Sequence, residues 1–145
     1  MQWDTTRNAG FSTAEKTWLP VPPGYRLRNV AVEGKDPDSI LHFYKKLIIL
    51  RRSQLALRDG LYEALNQQEG PVLSWLRKNP RQGESIIVAL NMSAEPRKIS
   101  FDLQAHGMTQ LTARPLLTSP GWDRAAAPLS GIALAPFGVF IGAVQ

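Results

Sequence analysis

The periodicity of this chain changes once. Up to Asp59-Gly60 it carries a single sustained helical repeat; beyond that point apolar residues come only in short runs separated by turn residues. A sequence that changes period once must place a helix ahead of a sheet, which defines an α+β chain. With 145 residues, 43% of them hydrophobic, there is enough chain for one real core, burying roughly 70% of the unfolded surface.

The helical signal opens with Asp36 as a predicted N-cap, Pro37 at the first helical position and Asp38 beside the positive end of the dipole, and it runs to about Gln54. Ile40, Phe43, Tyr44, Leu47 and Leu50 make one stripe. Leu41, Ile48 and Ile49 widen it beyond the needs of a half-exposed helix, so partners are expected on more than one side. Lys45, Lys46, Arg51 and Arg52 fall in the later half, where cations suit the negative dipole end. Ahead of this helix, residues 1–35 are rich in Pro and Gly without either period, and read as a long irregular segment of the kind that serves a site or is cut from a larger framework.

After Gly60 the runs Leu61–Leu65, Val72–Leu76, Ser85–Asn91, Arg97–Leu103, Leu111–Leu117, Ile132–Leu134 and Phe137–Val144 predict six to eight strands, with residues 119–131 as a connecting loop. The expected architecture is an extended N-terminal segment and one long helix packed on an antiparallel Greek-key β-sandwich, an all-β C-terminal domain. The expected division is 1–58 and 59–145.

Several chemistries are excluded. The chain has no cysteine, hence no disulfide, thiolate metal site or cysteine nucleophile. His42 and His106 are its two imidazoles, and neither has a local partner set for zinc or for a Ser-His-Asp arrangement. No glycine-rich phosphate cradle occurs, because Gly10, Gly24 and Gly34 are dispersed. The net charge of +5 is spread along the chain and is partly explained by the helix, so nucleic acid is not expected as a partner. No apolar stretch approaches the ~20 residues of a membrane span. The first residues lack a signal-peptide core. A cytoplasmic protein is expected.

Most carboxylates read as solvated or capping: Asp36 and Asp38 at the helix start, Asp59 before a turn glycine, Glu69, Glu84 and Glu95 beside turn signals. Asp4 differs, because Gln2-Trp3-Asp4 sets an aromatic face beside polar groups suited to a sugar ring. Among the other tryptophans, Trp75 is mid-strand and expected in the core, whereas Trp122, beside Gly121 in a loop, is the candidate for an exposed carbohydrate contact.

Met1-Gln2-Trp3-Asp4 followed by Asn8-Ala9-Gly10-Phe11-Ser12 closely resembles the C-terminal part of α-glucosidases and oligo-1,6-glucosidases of the α-amylase superfamily, glycoside hydrolase family 13. The resemblance continues through Trp18-Leu19-Pro20-Val21, Asn29-Val30, Asp36-Pro37-Asp38-Ser39-Ile40-Leu41 and Phe43-Tyr44-Lys45-Lys46-Leu47-Ile48 with Leu50-Arg51, the family's segment entering and forming the last barrel helix. Gly60-Leu61-Tyr62 and Leu134-Ala135-Pro136-Phe137 are weaker markers of its C-terminal β-sandwich.

The resemblance implies a parent enzyme with a (β/α)₈ barrel, a nucleophilic Asp, an acid/base Glu and a second, stabilising Asp on strand-end loops that this sequence does not include. The family's Arg-Thr-Pro, expected just before Met1, is also outside it. The expectation is therefore a fragment with no catalytic residue, no cofactor and no metal. Gln2, Trp3, Asp4 and Asn8 would rim the mouth of the substrate pocket, loosely held without a barrel. The expected partner is the missing catalytic barrel, in cis or in trans. An uncovered helix face would favour self-association, and oligosaccharide would bind weakly if at all. The alternatives are an independent carbohydrate-binding module and a subunit that completes a truncated barrel in trans.

Overall fold

The structure, a computed structural model, describes residues 1–65, 70–79, 81, 83–119 and 125–145. These form two units, Met1–Ile48 and Ile49–Gln145.

In the first unit the irregular segment folds through two 3₁₀ turns, Arg7–Gly10 and Pro23–Arg26, into the short helix α1, Val30–Glu33. Asn29 caps α1: its Oδ1 accepts from the Val32 amide at 2.9 Å, and its Nδ2 donates to the carbonyl of Tyr25 at 2.7 Å. Asn29 is buried, and these bonds offset its desolvation. The long helix α2 spans Ile40–Ser53, so it begins three to four residues later than the Asp36-Pro37 signal predicts. The carboxylate of Asp36 instead closes a turn on the Asp38 amide at 2.9 Å. The N-terminal amides of α2 are met by two other groups. The Ser39 hydroxyl accepts from His42 N–H at 3.3 Å, and Glu33 Oε2, reaching over from α1, accepts from Leu41 N–H at 3.1 Å.

The division between the units falls within α2, between Ile48 and Ile49. None of its residues is buried. Ile40, Tyr44 and Ile48, spaced four apart on one face, are 71%, 61% and 50% exposed.

The second unit adds the short helix α3, Leu55–Asp59, and eight strands among the described residues: β1 Leu61–Ala64, β2 Val72–Lys78, β3 Ile86–Asn91, β4 Arg97–Ile99, β5 Thr112–Thr118, β6 Ala127–Pro128, β7 Ile132–Leu134 and β8 Val139–Val144. All pairings are antiparallel. One sheet has the order β1-β2-β3-β8-β5-β6 and the other pairs β4 with β7. The chain leaves β3 for the small sheet, returns at β5, and finally inserts β8 between β3 and β5, which is the crossing expected of a Greek key in a two-layer sandwich.

The core lies between the layers. Val72, Leu76, Ile87, Ala89, Phe140, Val144 and Ala113 of the large sheet meet Ile132 and Leu134 of β7, with Leu103 and Leu129 from the connections. Alternation on β2 is clear: Val72, Ser74 and Leu76 are buried, so Trp75 points to the opposite face, half-buried beside Tyr62 with ring centroids 6.3 Å apart. The expectation of Trp75 in the core thus misassigns its face. Gly142 is required where it stands, because a Cβ there would lie 2.6 Å from the Phe140 ring. Arg97–Leu103 yields only three strand residues, since Phe101 N–H turns to the carbonyl of Leu129 at 2.8 Å and a 3₁₀ turn follows at Gln104–His106.

Candidate functional site

The four rim residues come from one tight turn. Residues Asn8, Ala9 and Gly10 take φ values of 54°, 56° and 66°, three consecutive residues in the left-handed region. That reversal aims the carbonyl of Ala9 back at the start of the chain, where it accepts from the amides of Trp3 at 2.8 Å and Asp4 at 3.3 Å. The same stretch is anchored to α1: the Gln2 carbonyl accepts from Val30 N–H at 3.0 Å and the Trp3 carbonyl from Ala31 N–H at 2.9 Å. The segment is tied down by its own main chain, contrary to the loose rim expected from sequence.

Each rim side chain has a defined setting. Asn8 donates from Nδ2 to the carbonyls of Ser12 at 3.1 Å and Ala14 at 2.7 Å, which holds the turn shut. Asp4 Oδ1 accepts from both the hydroxyl of Thr6 at 2.5 Å and its amide at 2.8 Å. Those bonds, the hydroxyl first, hold the Asp4 carboxyl below the usual carboxylate range by favouring its ionised form. Trp3 is 49% exposed.

The turn separates two open cavities. Gln2 and Asn8 line one of about 490 Å³ together with Phe11, Trp18 and Leu19. Asp4 lines the other, of about 740 Å³, with Thr6, Arg7 and Ser12. The expected rim is thus divided: Gln2 and Asn8 face one side, Asp4 the other, and Trp3 lines neither. Trp18, one of the three tryptophans beyond Trp3 that could form a carbohydrate platform, is 97% exposed. Its signal was Pro20 and Pro22-Pro23 close behind it, a stretch that cannot fold back into a regular element to cover the ring. Trp122 lies outside the described residues.

Elsewhere the carboxylates serve as ties. Asp59 pairs with Arg58 at 3.0 Å and Glu84 with Arg114 at 2.8 Å. The Arg58 hydrogen bond is the main reason that the Asp59 carboxyl lies below its ordinary range. Glu63 on β1 accepts from His106 Nδ1 at 2.6 Å, while Lys78 Nζ donates to the His106 carbonyl at 2.7 Å. This clasp joins residues 43 positions apart, which no local spacing reveals. Among the described residues no three His, Asp or Glu side chains gather to hold a metal ion, and no helix is long and apolar enough to cross a membrane.

Residues 1–60 match the family described as alpha amylase, catalytic domain. An oligo-1,6-glucosidase from Parageobacillus thermoglucosidasius is 39% identical over 93 residues, 64% of this chain and 16% of that enzyme. One from Heyndrickxia coagulans is 40% identical over 102 residues, 70% of this chain and 18% of that enzyme. The trehalulose synthase of Pseudomonas mesoacidophila MX-45 matches 99% of the chain with a TM-score of 0.83 and 33% identity, using 24% of its own length. In sequence and in fold, then, this chain is related to the enzymes of the α-amylase family, glycoside hydrolase family 13. Within them it resembles the C-terminal part of the α-glucosidases and oligo-1,6-glucosidases, and it spans less than a fifth of the two curated relatives named above.

Proposed function

We propose that the chain is the non-catalytic C-terminal region of an α-glucosidase-like glycoside hydrolase acting on α-glucosidic bonds of oligosaccharides. Its work is structural support: the β-sandwich and α2 brace the barrel, and the turn at Gln2, Trp3, Asp4 and Asn8 walls the pocket mouth. The observation that carries this reading is the match of nearly the whole chain, at a TM-score of 0.83, to only 24% of a trehalulose synthase. The same enzyme has been solved in complex with its substrate sucrose, a glycosidically linked disaccharide. The setting of the acids here supports it too. A retaining glycosidase needs two carboxyl groups ~5–5.5 Å apart across a bond-sized gap. Asp4, Asp59, Glu63 and Glu84 are instead engaged by Thr6, Arg58, His106 and Arg114.

The partner in this reading is a catalytic barrel, joined in cis or supplied in trans, and the compartment is the cytoplasm. The exposed face of α2 is where such a barrel, or a second copy of the chain, would lie. The test is cleavage of p-nitrophenyl α-glucoside by the purified chain. No turnover is expected; activity that survives repurification overturns the proposal.

The exposure of Trp18 beside Gln2 and Asn8 favours one second reading, a free-standing carbohydrate-binding module. Titrating maltose or isomaltose against tryptophan fluorescence separates the two. The structural reading expects no saturable change at low millimolar sugar.

A further inference from the structure

We infer that Asn8, Ala9 and Gly10 are positioning residues: their left-handed run exists to hold the Trp3-Asp4 main chain and seat the Asp4 carboxylate on Thr6, so that the rim is preorganised by the chain itself. Three consecutive residues at φ 54°, 56° and 66° include two with a Cβ, which L-residues rarely tolerate. Local cost of this kind persists only where surrounding contacts over-determine it. Here those contacts are the two side-chain bonds of Asn8 and the burial of Ala9, which is 1% exposed. What they secure is one carbonyl oxygen, that of Ala9, shared by two consecutive amides. Gly10 completes the device from the other side. A Cβ at that position would stand 2.6 Å from Asp4 Oδ1 and 2.7 Å from its Cγ and Oδ2, so the absent side chain is the space that the carboxylate occupies. Backbone handedness is thereby coupled to the placement of one charged group. This deepens the proposed function, on which it rests only for the purpose of the rim; the coupling itself is a property of the turn.

The test follows the Asp4 carboxyl by carbon-detected NMR through an acid titration of the full chain, alongside amide exchange at Trp3. In the native chain Asp4 titrates below the ordinary carboxylate range. In Gly10→Ala the carboxylate must leave its seat, so its titration is expected to move back up toward the ordinary carboxylate range. Trp3 N–H should lose roughly tenfold or more of its protection as the turn opens.

Handedness is tested together with packing by a pair at one buried position. Ala9→Gly enters the left-handed region freely and should keep both signals, whereas Ala9→Val, with its branched Cβ, should lose both. Signals from the Ile49–Gln145 unit report in the same spectra that the remainder is folded. An unchanged Asp4 titration in Gly10→Ala, or equal losses in Ala9→Gly and Ala9→Val, overturns the inference. Neither readout depends on turnover, so p-nitrophenyl α-glucoside cleavage by the chain would defeat the proposed function and leave this result standing.

Discussion

Asn91 is 2% exposed, and its side chain is fully occupied: Nδ2 donates to the carbonyls of Glu95 at 2.7 Å and Ala135 at 2.8 Å, while Oδ1 accepts from the amide and the hydroxyl of Ser93. It fastens the end of β3 to the turn before β8. Asn91→Ala leaves those buried partners unmet and is expected to cost about 2–3 kcal/mol, read as a lower urea midpoint with unchanged slope. Acid acts at Asp4. Its carboxyl is held below its ordinary value in the folded chain, so the Thr6 tie is intact at neutral pH and is lost as pH falls through that lowered value. The Thr6 amide resonance should therefore move with a midpoint below the ordinary carboxylate range; a shift centred near neutrality would refute the assignment. At this scale sequence legibility was uneven. Gln2-Trp3-Asp4 stood out through side-chain chemistry, whereas Ala9 did not, because nothing about alanine advertises a left-handed backbone. Trp75 was visible as a strand residue, but its face depended on the register with Val88 across the ladder.

Helix α2 illustrates how local signals compete. Asp36-Pro37 has the chemistry of a helix start, yet Asp36 spends its carboxylate on Asp38, and Ser39 takes over the capping role because Glu33 of α1 can assist it there. Ser39→Ala should destabilise the start of α2 by about 1 kcal/mol, seen as faster exchange of the His42 amide with the Leu50 amide little changed. Among the strands, those with a core-facing alternation were readable: Val72–Lys78 extends its predicted run by two residues, and Ile132–Leu134 is as predicted. The short β6, Ala127–Pro128, was read as loop, since two residues hold no period and it exists only by pairing with Thr112 and Ala113. Pro115 is accommodated within β5 at a register shift between Pro115 and Leu117, past the residues that pair with β6. The Gly142→Ala substitution tests packing on the inner face of the large sheet. The added methyl meets the Phe140 ring and should cost about 1–3 kcal/mol by thermal unfolding, partly recovered by Phe140→Leu.

For the molecule as a whole, the uncovered face of α2 has the clearest consequence in solution. Ile40, Tyr44 and Ile48 together present an apolar strip on a helix that buries none of its residues. The isolated chain is expected to self-associate as concentration rises, and Ile40→Lys with Ile48→Lys should return it to a monomer in sedimentation without loss of the sheet's circular dichroism. Identical sedimentation of native and substituted chains would remove this face as an interface. The breadth of the apolar pattern was legible in sequence, because excess hydrophobic residues around a helix announce a missing neighbour. The order of strands was not, since it depends on pairings between distant residues, such as Ile86 with Ala143, that no window of sequence contains.

That last pairing governs how the β-rich unit must be born. Because β8 is the wedge between β3 and β5, the large sheet exists as two separate halves until Val139–Val144 have cleared the ribosome. Nascent β3 must therefore wait with an open flank until β8 has been made, and the sandwich closes late in its folding.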